Sequence, residues 1–296
     1  MKNLVSDYHR DGFTHVVGAL PKTIIKSLTD LIEVNIDNLA QRLHKNGEIS
    51  ELYQNLDFGR RFFMISSEAN LHNAFLRWDS ELVSRQLYNL ITHRRLLNIL
   101  GELIGDDIIH NGDFHLRPKM PKSELTVFPW HQDSQFYGEL TKFLHIITVH
   151  IPLVDTCLTN GCLKFLRGSH LKGYVPRKEH TSLLIESEFD ISDYGEEVSV
   201  EASVGDVILF HNLAFHSSGI NFSSNIRWTL DLRYRPRLLS QAQLNTEVMD
   251  AESWFDKRMK KGWGPIEIRR SNPITSFDNW VKSRNNDILP GGAGKI

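Results

Sequence analysis

Trp130-His131-Gln132-Asp133 closes an apolar run, and on an extended chain residues two apart project from the same face. His131 and Asp133 can therefore offer a neutral imidazole and a carboxylate to one metal ion. A lone His-Xaa-Asp triplet arises often by chance and carries little alone. Further along, Gly205-Asp206 turns into the apolar stretch Val207 to Phe210, which delivers His211 and then His216, either of which supplies a third ligand. Two imidazoles and one carboxylate on a β scaffold make the facial set of a non-haem Fe(II) centre, which leaves open positions for cosubstrate and O2. Zinc more often has a closed four-ligand site or a single open position.

Arg227 follows His216 by eleven residues and opens the run Arg227-Trp228-Thr229-Leu230-Asp231-Leu232-Arg233-Tyr234. A guanidinium inside a barrel needs an anion. If the cosubstrate is a keto-diacid, its keto group and near carboxylate chelate the iron. The far carboxylate then needs a forked cation, which arginine supplies bidentately. Ser218, two residues beyond His216, could donate a hydroxyl to the same group.

These residues need a rigid frame, and the composition allows one. The 296 residues are 41% hydrophobic and 24% charged, enough for a substantial core. With 34 Lys+Arg against 36 Asp+Glu the net charge is −2, so no bulk positive field exists to hold a nucleic-acid backbone. The apolar-rich stretch Phe143 to Val154 is interrupted by two histidines and a proline and is too short for a bilayer span. Met1 to Asp7 lacks a long apolar run, and Gly294-Lys295-Ile296 matches no retention tag, so a cytoplasmic location is the expectation. Cys157 and Cys162 read as reduced thiols.

Apolar residues from Ile24 to Leu43 recur at three- and four-residue steps between Pro21 and Asn46-Gly47, which predicts an amphipathic helix. A second helical stretch is expected over roughly Ser80 to Leu103. From Ile108 short β-branched and aromatic runs alternate with turn residues, giving candidate strands near 108–117, 124–132, 143–154, 161–166, 197–201, 205–211 and 226–235. The pattern favours an antiparallel sandwich or barrel buttressed by helices. One domain is expected over 1–296, with a helical part to about 107, a β core to about 236 and a C-terminal extension from 237 to 296. Lys257 to Arg270, where six basic residues surround Trp263, reads as a solvated arm or surface helix.

In chain order, Trp130-His131-Gln132-Asp133, Asn160-Gly161-Cys162-Leu163, Arg167-Gly168-Ser169-His170, His216-Ser217-Ser218-Gly219 and Arg227-Trp228 resemble the phytanoyl-CoA dioxygenase family of Fe(II)/2-oxoglutarate-dependent oxygenases. Asp11-Gly12-Phe13 with Val16 to Leu20 resembles that family's first segment. The resemblance implies a double-stranded β-helix, or cupin-like jelly roll. It also implies His131, Asp133 and His216 as iron ligands, with Arg227 and Ser218 on the far carboxylate of 2-oxoglutarate. The activity implied is hydroxylation, or another oxidation, of an unactivated C–H bond, with release of succinate and CO2. Asp133 argues against a halogenase, in which a small residue replaces that carboxylate. Arg117-Pro118 stands where many members have Lys-Pro, and His150 where the strand often presents a large aromatic.

The spacing to Arg227 and the adjacent Ser218 favour His216 over His211 as the ligand, which leaves His211 a packed or hydrogen-bonded role. His170 is read as a turn residue. Thr148 and His150 share a strand face and are candidate contacts of 2-oxoglutarate. Asp231 and Arg233 are expected to form an internal ion pair, with Arg233 as an alternative guide for an anionic substrate. Phe128, Trp130, Gln135, Tyr137, Arg117 and Arg233 are candidate substrate-pocket residues. Arg60 and Arg61 add a weak hint of an anionic small-molecule substrate. The family spans acyl-CoA esters, amino acids and specialised metabolites, so the substrate does not follow from these motifs. The loops near Leu43 to Ser67, Leu171 to Glu196 and after Tyr234 are expected to shape specificity, and no heptad specifies an oligomer. A cosubstrate-independent cupin enzyme and a non-catalytic jelly-roll binding module are the alternatives, and neither requires Arg227.

Overall fold

The computed structural model describes residues 4–71, 81–176, 191–237, 246–259 and 263–284. Its centre is a pair of antiparallel sheets. The larger takes β1 (Phe13–Val16), β7 (Val207–His211), β4 (Ile147–Pro152), β9 (Arg227–Pro236), β2 (Asp107–Lys119), β10 (Ile266–Arg269) and β11 (Asn272–Pro273) in that spatial order. The smaller runs β3 (Phe128–His131), β8 (His216–Ser218), β5 (Leu163–Leu166) and β6 (Glu197–Val200). This is the expected jelly roll with helical additions.

Alternation along β4 and β9 decides what each face does. Val149, Ile151, Leu230, Leu232 and Tyr234 join the main apolar core, together with Ile32 and Ile36 from α2 (Lys22–Lys45). Their neighbours Thr148, His150, Arg227, Thr229, Asp231 and Arg233 are polar and just as deeply buried. With the apolar face covered by helices, the barrel interior is left as the polar side. Phe13, Phe165, Ile208 and Phe210 form a second apolar cluster.

Several boundaries differ from expectation. The predicted helix over Ser80 to Leu103 is two helices, α4 (Arg85–Ile91) and α5 (Arg94–Ile104), because Thr92 and His93 leave helical geometry and His93 serves as the cap of the second. Its first residue, Ser80, lies outside the described residues. Ahead of the expected elements stand α1 (Leu4–Asp11) and β1, too short to show a period, and α3 (Arg61–Glu68) follows α2. The candidate strand at 124–132 starts as a 3-10 turn, Glu124–Thr126, before β3. His211 and His216 lie on separate strands, divided by a turn in which the Ala214 N–H donates to the His211 carbonyl.

The basic stretch Lys257 to Arg270 is a surface helix only at its start, where Lys257 is exposed, and is not a solvated arm beyond it. It begins in a helix, Thr246–Met259, and ends as β10, hydrogen-bonded to β2 with Trp263 buried beside it; residues 260–262 lie outside the described set. Tertiary pairing overrides the charge pattern here, since Ile266 and Ile268 point into the core while the charged residues between and after them face out. Just past the residues that pair with β10, β2 carries a bulge in its pairing with β9, between His110 and Phe114. Gly112 sits in that bulge at φ +92°, where a Cβ would fall 2.3 Å from the Trp263 carbonyl oxygen, so only glycine fits. Part of the expected specificity loop Leu171 to Glu196, residues 177–190, and part of the tail lie outside the described residues. No helix among those described is long and apolar enough to cross a membrane.

Candidate metal centre

The last residue of β3 and the first of β8, His131 and His216, are opposite each other in register, and their rings lie 4.1 Å apart between centroids. Each ring is oriented by its own backbone: Nδ1–H of His131 donates to the Pro129 carbonyl at 2.7 Å, and that of His216 to the Ala214 carbonyl at 3.0 Å. A carbonyl only accepts, so both Nδ1 atoms carry the proton. Burial, joined for His131 by its partner His216, pushes both imidazoles below their usual range, His131 to about 3, so the rings are neutral at pH 7. The lone pairs are then on the Nε2 atoms. These lie 4.0 Å (His131) and 3.7 Å (His216) from Oδ1 of Asp133. The three ligand atoms fall within 4.8 Å of one another, the one such group of His, Cys, Asp and Glu among the described residues.

Burial opposes ionisation of Asp133, but the Arg233 guanidinium, helped by the Thr148 hydroxyl, outweighs it and holds the carboxyl at about 2. The set therefore presents two neutral nitrogens and one anionic oxygen, the donors a divalent ion needs. Asp133 starts the short helix α6 (Ser134–Tyr137), and Gln132 between the ligands is locked by donating to the Gly173 and Leu213 carbonyls and accepting from the Val175 N–H. Ser169 accepts from the Phe215 N–H at 2.9 Å, which secures the chain just before His216.

Arg227 is 3% exposed, and its Nε and Nη1 have no hydrogen-bond partner among the described residues. Burying a guanidinium away from a paired counter-charge is unfavourable, and an anion reaching these two nitrogens would relieve that cost. Burial lowers its pKa to about 10, which leaves it charged at neutral pH. The motif Asn160-Gly161 borders this region: Gly161, at φ +78°, packs against Lys119, where a Cβ would meet the lysine Cδ at 3.0 Å and the Gly219 carbonyl at 2.6 Å. Ser218, on β8 two residues past His216, is also buried.

The remaining candidates take up other positions. The Thr148 hydroxyl donates to Oδ2 of Asp133 at 2.5 Å, and His150 Nδ1 bonds to Asp231 at 2.7 Å, so in this structure both face carboxylates. Nε2 of His150 is buried without a partner among the described residues. Arg233 lies among Asp133, Asp113 and Asp231 at 3.4, 3.8 and 4.0 Å. Tyr137 donates to Asp113, and the Gln135 amide bonds to the Val175 carbonyl. Arg117 reaches Asp231 at 3.2 Å and covers the Phe128 ring at 4.8 Å, while Trp130 is half-buried nearby in sequence. Arg61 is paired with Asp37, away from these residues. His211 accepts from the Leu213 N–H and stacks on His145 at 4.9 Å.

Two buried groups were not anticipated. Lys119 is 2% exposed, sits opposite Arg227 in the β2–β9 register, and donates to the Thr126 carbonyl. Its position two residues after Arg117 on a strand was the available signal. Asp113 lies in the β2 bulge, where period-two reasoning loses its phase.

A model of the family described as phytanoyl-CoA dioxygenase (PhyH) matches residues 8–229. A curated relative from Dictyostelium discoideum, the phytanoyl-CoA dioxygenase domain-containing protein 1 homolog, is 31% identical over 114 residues, which span 35% of this chain and 39% of that protein. Among solved structures, the epimerase SnoN in complex with Fe3+, alpha ketoglutarate and nogalamycin RO is 22% identical with a TM-score of 0.53, over 79% of this chain and 83% of that one. The non-heme monooxygenase ThoJ is 17% identical with a TM-score of 0.54, over 95% and 100% of the two chains. EctD from S. alaskensis, with 2-oxoglutarate and 5-hydroxyectoine, is 17% identical with a TM-score of 0.54, over 84% and 83%. At these identities the structural likeness is one of fold. The family match covers three quarters of the sequence, and the chain belongs to the phytanoyl-CoA dioxygenase family of oxidoreductases.

Proposed function

We propose that this protein is an Fe(II)- and 2-oxoglutarate-dependent dioxygenase that oxidises an unactivated C–H bond of a small molecule, with release of succinate and CO2. The observation that carries the reading is the pairing of a neutral two-histidine, one-carboxylate set with the buried, unpaired Arg227. His131, Asp133 and His216 would hold the iron, and Arg227 with Ser218 the far carboxylate of 2-oxoglutarate. When bound, the iron supplies the redox chemistry that couples O2 to oxidation of the keto acid and the substrate.

The protein's share is orientation and exclusion of water. The backbone carbonyls of Pro129 and Ala214 fix the two imidazoles, so little reorganisation accompanies metal binding. Lys119 beside Arg227 adds a second buried donor to the cosubstrate end. SnoN and EctD are described with small molecules bound, which supports a small-molecule substrate here.

The test is oxygen uptake by the iron-loaded protein against a panel of small-molecule substrates. Uptake that requires 2-oxoglutarate and yields stoichiometric succinate supports the reading. Uptake with a substrate but independent of 2-oxoglutarate favours a cosubstrate-independent cupin enzyme.

A further inference from the structure

The two oxygens of Asp133 have different surroundings. Oδ1 faces Nε2 of both histidines. Oδ2 is turned away and taken by the Thr148 hydroxyl at 2.5 Å and by Nη2 of Arg233 at 3.4 Å. Arg233 also has a second carboxylate in ion-pair range, without a hydrogen bond to its Nε. Nε lies 3.8 Å from Oδ2 of Asp113, a carboxylate with 0% exposure. The same Asp113 oxygen accepts the hydroxyl of Tyr137, four residues past Asp133 on α6. A chain of buried contacts thus runs from Tyr137 through Asp113 and Arg233 to the oxygen of Asp133 that does not face the imidazoles.

A carboxylate with both oxygens free can ligate through one or through two, and the second mode would fill a position a facial site must leave open. Thr148 alone supplies one hydrogen bond without charge. The guanidinium adds a charge on the same oxygen, and the buried Asp113 carboxylate attracts that guanidinium at 3.8 Å. Buried charge is otherwise expensive, and three carboxylates around one arginine are more than neutrality requires.

We infer that Arg233, oriented by Asp113 and Tyr137, is a positioning residue that holds Oδ2 of Asp133 and keeps this ligand monodentate. The inference rests on the reading of His131, Asp133 and His216 as the metal ligands. It makes Arg233 part of the metal centre's support.

The experiment is anaerobic titration of the apoprotein with Co(II), following both affinity and the visible ligand-field band. Variants are chosen to conserve charge where possible. His131→Ala should bind no Co(II) at concentrations that saturate the wild type. Arg233→Lys should bind about tenfold more weakly, the lower end expected for loss of an outer contact to a ligand. Its band should lose intensity as the coordination number rises. Asp113→Asn should shift the band in the same sense, and should add nothing in the Arg233→Lys background, since it acts through the arginine. A wild-type band and affinity in Arg233→Lys, with binding lost in His131→Ala, overturns the positioning role and leaves the metal reading standing. Equal binding by wild type and His131→Ala overturns the metal reading instead. Additive effects of the two substitutions overturn the relay through Asp113. If Arg233→Lys does not fold, Tyr137→Phe, which removes one hydroxyl, carries the test: a smaller shift of the same band supports the role, and an unchanged band overturns it.

Discussion

Lys119 and Arg227 stand opposite each other on β2 and β9, both buried, with no carboxylate of the described residues in ion-pair contact with either. Burial beside the Arg227 guanidinium disfavours the Lys119 ammonium, so the two groups are both charged near neutral pH only when an anion joins them. In the proposed function this pair forms the cosubstrate end, and several outcomes depend on it.

Replacing Arg227 by methionine should raise the Kd for 2-oxoglutarate about 100-fold while leaving metal affinity unchanged, the effect of losing charge-assisted, forked hydrogen bonds. Arg227→Lys should recover only part of this, because an ammonium cannot reproduce the fork. Calorimetric titration of the metal-loaded protein under nitrogen checks both.

Burial, reinforced by Arg227 and Arg117, pushes Lys119 down to about 6, so near pH 7.5 its amine is mostly neutral. A carboxylate arriving beside it favours the ammonium and raises the pKa. Binding of 2-oxoglutarate should therefore take up a proton above about pH 6, and affinity should fall as pH rises from there toward the bound-state pKa. Calorimetry in two buffers of different protonation enthalpy should give uptake approaching one proton, abolished in Lys119→Met. No uptake in the wild type would contradict the pairing.

Gly12 sits at φ +83° between α1 and β1, and a Cβ there would fall 2.5 Å from Nδ1 of His170. Gly12→Ala should cost about 1–3 kcal/mol in urea unfolding, from backbone strain and ring displacement together. Adding His170→Ala should return only the part due to the ring.

Helix α2 buries Ile32 completely against the main core, on the outer side of the large sheet. Ile32→Ala should cost about 2–5 kcal/mol of stability, read by urea unfolding, with Co(II) affinity retained in the folded protein. Loss of metal binding in a folded variant would show that the helical layer shapes the centre directly.

What could be read from the residues alone follows from how local each signal is. The α2 helix and the β4, β7 and β9 strands carry their own periodicity, and His131, Asp133, His216 and Arg227 sit in short motifs whose spacing survives folding. β1, β8 and β11 are two to four residues long and exist only because a partner strand is present. The charge pattern of Lys257 to Arg270 fits the helix that carries Lys257 but not the end of the segment, Ile266–Arg269, where pairing to β2 and not local polarity decides the structure. Asp113 was invisible because the bulge at Gly112 breaks the alternation that would have pointed it inward. Thr148 and His150 were legible as interior residues, but which anion each would face depends on strand neighbours far away in sequence, Asp133 and Asp231.

The most direct measurement is an anaerobic visible titration of the apoprotein with Fe(II) and then 2-oxoglutarate, on wild type, His131→Ala and Arg227→Ala. The account predicts a charge-transfer band that grows with 2-oxoglutarate in the wild type, is absent in His131→Ala, and requires about 100-fold more cosubstrate in Arg227→Ala. A wild type that binds iron yet shows no such band at saturating 2-oxoglutarate would contradict it.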